Sequence, residues 1–134
     1  MEEPKHISIF TGAFGSGKTE LALNYALKLH ETGKKVTAVD LDIINPYFRI
    51  RSVREALEVR GLNVVSPCGR LAGADVPALP PAILGVLEDS RGYGVLDVGG
   101  DDIGATVLGR FKGNLHDGSF NLYFVVNTYR THTR

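Results

Sequence analysis

Apolar and polar positions alternate along this chain in blocks of two kinds. Short runs rich in β-branched and aromatic residues lie between glycines and prolines, and longer runs between them follow a helical period. Residues 6–11 (HISIFT) read as a strand, 36–40 (VTAVD) as a second and 63–66 (NVVS) as a third. Residues 93–98 (YGVLDV) give a fourth strand and 121–127 (NLYFVVN) a fifth. From residue 18 to about 32 the period is helical: Asn24, Lys28 and Glu31 fall on one polar face, and Ala22, Leu23, Ala26, Leu27 and Leu29 fill much of the rest. Gly33 is a natural stop for that helix. A second helix is predicted over about 52–60, ending at Gly61, and a third opens on Pro81 and runs to about residue 90. A fourth, over 103 to about 114, is weakened by Gly104 and Gly109.

Strands alternating with helices predict an α/β fold, a mainly parallel sheet with helices on both faces. Residues 43–51 and 67–81 read as loops, the second long and carrying four prolines. The 134 residues fit one domain. The fifth strand is followed only by TYRTHTR, where a buried parallel strand leads us to expect another helix. The expectation is therefore a single domain over residues 1–134, truncated at its C-terminus.

Composition narrows the picture. Fifteen basic residues balance fifteen acidic ones, which gives no electrostatic case for nucleic acid. No apolar run approaches the ~18 residues of a membrane span, and the acidic start MEEPKHISIF does not read as a signal peptide. The single cysteine, Cys68, excludes an intrachain disulfide and a multi-cysteine zinc site. A cytoplasmic protein is the expectation.

The chemistry lies in the turn after the first strand. Gly12-Ala13-Phe14-Gly15-Ser16-Gly17-Lys18-Thr19 matches G-x-x-x-x-G-K-[ST] at every fixed position. A chance match in a chain of this length is on the order of half a per cent, and this one sits between a predicted strand and a predicted helix. Glycines let backbone N–H groups turn inward as an anion nest, and the following helix offers its positive end to the same phosphates. Lys18 would reach the β- and γ-phosphates and Thr19 would offer its hydroxyl to Mg²⁺, with Glu20 next in line. A nucleoside triphosphate with magnesium is the implied ligand.

Hydrolysis also needs a carboxylate near the metal and a group that positions water. Asp97 ends an apolar strand at the sheet edge where P-loops lie, so it is a candidate metal ligand; the alternative is an acid ending a strand in solvent. Asp97-Val98-Gly99-Gly100 is a D-x-x-G turn that would let Gly100 meet a γ-phosphate. Asp40 and Asp42, two apart, face the same way if the second strand persists. One would hold a metal-bound water while the other orients the attacking water. Arg49, Arg51 and Arg54 read mainly as a solvated helix start.

With these motifs placed, the sequence resembles the MinD/ParA/Mrp-type branch of P-loop NTPases. The likeness rests on IFTGAFGSGKTELALNYALKL, GKKVTAVDLDIINPY and VLDVGG, which span much of the first hundred residues. It implies an ATP (or ADP) and Mg²⁺ site, and a switch-type ATPase that acts with a protein partner or as an oligomer. It puts Lys18 and Thr19 at phosphate and magnesium, Asp42 at the water-positioning role, Asp40 and Asp97 near magnesium, and Gly100 at the second switch. Dimerising members carry a second lysine early in the loop, whereas Gly12-Ala13-Phe14 has none. The base-recognition region of such proteins falls beyond residue 134. A small-molecule kinase, a GTPase and a nucleotide-binding module without turnover remain the alternatives on the same scaffold.

Overall fold

A computed structural model describes residues 5–12, 17–41, 53–65, 81–88, 91–100, 109 and 120–126. The strands are β1 (Ile7–Gly12), β2 (Val36–Leu41), β3 (Asn63–Val65), β4 (Tyr93–Gly99) and β5 (Phe120–Val125). The helices are α1 (Lys18–Glu31), α2 (Arg54–Val59) and α3 (Pro81–Glu88). Each expected strand is present, as are the first three helices, with ends within a few residues of the sequence boundaries. Of the fourth predicted helix only Gly109, which is helical, lies among the described residues.

The strands form one sheet in the order β3-β2-β4-β1-β5, and every pairing is parallel. Alternation along the strands splits the core in two. Phe10, Val36, Ala38, Val64 and Val95 pack with Ala22, Leu23, Ala26 and Leu29 of α1 and Leu57 of α2. Ile7, Ile9, Val39, Leu41, Leu96 and Val98 pack with Ile83 and Leu87 of α3 on the other face. The chain steps toward β3 through α1 and α2 on one face and returns to β4 through α3 on the other. A reversal of direction with a reversal of face is what right-handed crossovers require. The α/β expectation with helices on both faces is met.

The helix ends follow local chemistry. Asn24, Lys28 and Glu31 are exposed on α1, as their spacing requires. Gly33 takes φ +89°, a left-handed conformation, and its N–H donates to the His30 carbonyl. At the end of α2 the Leu62 N–H returns to the Leu57 carbonyl and both side chains are buried, the hydrophobic clasp of a Schellman ending. Among the described residues no helix is long and apolar enough to cross a membrane.

The two sheet edges differ. β3 is three residues long and begins on exposed Asn63. β5 has six residues, yet Leu122 is 55% and Phe124 69% exposed.

Candidate functional site at the carboxyl ends of β1 and β4

β1 and β4 pair in register from Ile7–Gly94 to Gly12–Gly99, so their carboxyl ends finish side by side. The next described residue after β1 is Gly17, at φ +89°, which caps α1 from a conformation that glycine tolerates and other residues do not. Its carbonyl accepts the N–H of Leu21, the first turn of α1. That turn carries Lys18 and Thr19 inward; both are buried, although one ends in an ammonium and the other in a hydroxyl.

Their partner is Asp97. The Lys18 ammonium donates to Asp97 Oδ1 in a buried ion pair, and the Thr19 hydroxyl donates to Asp97 Oδ2 at 2.7 Å. One carboxylate thus engages both polar side chains of the first turn of α1, each through its own oxygen. Lys18 and Asp97 are 79 residues apart in the chain.

Asp40 completes the cluster. It pairs in register with Asp97, which in turn pairs with Phe10, and Phe10 with Tyr123. Ala38 and Val95, two residues earlier on β2 and β4, belong to the α1-side core, so both aspartates point toward α1. Adjacent strands lie about 4.8 Å apart, so two acids stand next to each other within one row. Both are fully buried, at 0% exposure. The alternative of acids ending strands in solvent therefore fails for Asp40 and Asp97 alike. Buried carboxylates cost several kcal/mol in desolvation unless charge and hydrogen bonds offset it, and Lys18 and Thr19 supply that offset for Asp97.

The rest of the row is aromatic. Phe10 stacks on Tyr123 at 5.0 Å between centroids, and Tyr25 of α1 lies 5.6 Å from Phe10. The Ser8 hydroxyl reaches Tyr25 Oη at 3.4 Å. The site floor thus passes from acidic over β2 and β4 to aromatic over β1 and β5. Sequence reasoning missed this aromatic half. Its signal was the position of Phe10 two residues before Gly12, hence on the face of β1 that turns toward α1.

Other predicted positions fall as follows. Gly12 and Gly99 are buried and paired in register, and the Thr11 hydroxyl lies 3.4 Å from the Gly99 carbonyl. Gly100 follows β4 at an exposed bend. Glu20 is exposed and stands outside the buried group. Arg54 is an exposed residue at the start of α2 with Glu58 at 3.4 Å one turn on, in keeping with a solvated helix start. Ala13, Phe14, Gly15, Ser16 and Asp42 lie outside the described residues, as do Arg49, Arg51 and Cys68.

The donor set is hard oxygen: one threonine hydroxyl and two carboxylates. Among the described residues no group of three His, Cys, Asp or Glu side chains clusters as a self-contained metal cage. Mg²⁺ needs no such cage, since it is commonly held by one or two protein oxygens together with water and substrate phosphates. The residues present fit that ion and do not resemble a zinc or calcium centre.

No family model matches the chain, and no curated protein or solved structure matches it. What fold and site define is a class: a parallel α/β protein with a buried lysine–threonine–aspartate cluster where its central strands end.

Proposed function

We propose that this protein binds ATP with Mg²⁺ and hydrolyses it as a switch-type ATPase of the MinD/ParA-like group of P-loop NTPases. The observation that carries the proposal is the joint hold of Lys18 and Thr19 on Asp97. In a P-loop the lysine after the last glycine meets phosphate and the hydroxyl after it meets magnesium. An acid at the end of a nearby strand is the third member, and here Lys18 and Thr19 both contact Asp97. The site also lies outside the carboxyl ends of a parallel sheet, the usual ligand position in such folds.

Each residue then has a task. By the motif, the Gly12 to Gly17 stretch would offer backbone N–H groups to the phosphates, and Lys18 would neutralise them. Mg²⁺, held by Thr19 and Asp97 with Asp40 beside them, would offset charge on the β- and γ-phosphates. Asp42 orients the attacking water and Gly100 meets the γ-phosphate, both by resemblance. Release of that phosphate frees Gly100, which is the switch.

Thermal stabilisation by ATP, ADP and GTP, each with Mg²⁺, tests binding. ATP at a hundred times its dissociation constant is expected to add about 2.7 kcal/mol. Lys18→Ala should abolish that gain; a variant stabilised as well as the parent protein would sink the proposal. A stronger response to GTP than to ATP would move the assignment to a GTPase. Phosphate release that appears only when an acceptor molecule is added would move it to a kinase.

Turnover is separable from binding. Asp42→Ala is expected to keep nucleotide stabilisation and to slow phosphate release about a hundredfold, the usual scale for losing a group that handles the water proton. Release at the parental rate would strip Asp42 of that role.

A further inference from the structure

We infer that the Thr11 hydroxyl is a positioning group for the turn after β4: it fixes the peptide between Gly99 and Gly100 so that the Gly100 N–H faces the phosphate side of the site. The inference rests on the proposed nucleotide function and adds a residue that neither the motif nor the resemblance assigns. It starts from a hydroxyl in an apolar place. Along β1, Phe10 packs on the α1 side and Ile7 and Ile9 on the α3 side, so Thr11 falls on the α3 side as well. The residue opposite it in register is Val98, a member of the same apolar cluster. Thr11 is itself buried. Valine has nearly the same shape and would fill that position without the cost of burying a hydroxyl. The hydroxyl therefore needs an acceptor, and it donates to the Gly99 carbonyl at 3.4 Å.

The geometry of the acceptor carries the rest. Gly99 ends β4 opposite Gly12 at the end of β1, and Gly100 follows at a bend. The Gly99 carbonyl and the Gly100 N–H belong to one peptide unit. That unit is planar and trans, so its C=O and N–H point in opposite directions. Thr11 holds the carbonyl from the α3 side. The N–H is thereby turned toward the α1 side, where Asp97 meets Lys18 and Thr19. Two glycines flank this peptide and leave it free to rotate, since neither has a Cβ to restrict it. A fixed orientation has to come from a contact outside the turn, and the Thr11 hydroxyl is that contact.

The consequence is selective. On the proposed function the Gly100 N–H meets the γ-phosphate, a group that ADP lacks. A hydroxyl that aims this N–H therefore acts on ATP and not on ADP, because only ATP makes the contact it controls. A residue that merely held β1 beneath the phosphate loop would act on both alike, since the loop grips the phosphates that the two nucleotides share. Thr11 directly precedes Gly12, so one hydrogen bond across β1 and β4 links the start of the phosphate loop to the turn that would sense the last phosphate.

Titration calorimetry of the full chain with ATP and with ADP, each with Mg²⁺, is the test. Thr11→Val should bind ADP as the parent does and ATP about tenfold more weakly, the scale of a lost hydrogen bond to a charged group. Thr11→Ser, which keeps the hydroxyl, should restore the parental affinity for ATP. The nucleotide-free protein gives a second readout. In nitrogen–proton correlation spectra the Gly100 amide resonance should move in Thr11→Val and lie near its parental position in Thr11→Ser. Should Thr11→Val fail to fold, Thr11→Ala takes its place with the same expected results. Equal weakening of ATP and ADP would reduce Thr11 to a structural residue of β1. That result, an unchanged ATP affinity, an unmoved Gly100 amide, or a serine variant no better than the valine one would each overturn the inference. A parent protein that binds neither nucleotide would instead refute the functional reading, and the inference would fall with it.

Discussion

Asp97→Ala is expected to destabilise the protein by about 3–5 kcal/mol, the scale of removing one partner from a buried ion pair. The reason is the double engagement of that carboxylate. Lys18 is 4% exposed, so loss of Asp97 leaves its ammonium buried without that carboxylate. The Thr19 hydroxyl loses its acceptor in the same substitution. Against a total stability of roughly 5–15 kcal/mol for a domain of this kind, the change removes a large share. Lys18→Met/Asp97→Leu should be markedly more stable than Asp97→Ala, because exchanging both charges for apolar groups leaves none buried alone. Urea unfolding measures both. A cost below about 1 kcal/mol for Asp97→Ala, or a double variant no better than the single one, would show that the pair contributes little to holding α1 on β4.

That pair marks the boundary of what could be read from the chain itself. The match from Gly12 to Thr19 announces its chemistry locally, because a phosphate nest requires glycines at fixed spacing and a helix immediately after them. The strands were legible for a similar reason: ISIF, VTAV and VLDV are apolar at three of four positions and on both faces, as strands covered on both sides require. Burial of Asp40 and Asp97 was not legible. An acid closing an apolar strand reads the same whether it meets solvent or a lysine 79 positions away. Strand order was equally hidden, since the insertion of β4 between β2 and β1 leaves no mark in either sequence. β5 shows the reverse case. Its apolar run reads as an interior strand, whereas among the described residues the sheet ends on it.

On the proposed function, the electrostatics of the cluster lead to a second large effect, on the dependence of nucleotide binding on magnesium. Lys18 has three N–H donors, but the Asp97 carboxylate beside it offsets the charge with which it would attract a phosphate. A nucleotide without metal must draw Lys18 away and then stand beside an uncompensated carboxylate, with Asp40 next to it in register. Mg²⁺ bound as proposed would take up the charge of Asp97 and release Lys18 at no such penalty. The parental protein should therefore bind ATP far more weakly in EDTA than with magnesium. Asp97→Asn keeps the side-chain shape, removes the charge and leaves Lys18 available to phosphate. We expect it to bind metal-free ATP more tightly than the parent does, by about tenfold or 1.4 kcal/mol, and to gain little when magnesium is added. Lys18→Ala combined with Asp97→Asn should lose the gain, since the released ammonium is its source. Titration calorimetry with ATP in EDTA and in magnesium reads all three proteins. If Asp97→Asn kept the parental magnesium dependence, Asp97 would not be the group that couples the metal to Lys18, and the role would pass to Asp40, its neighbour in the same buried row.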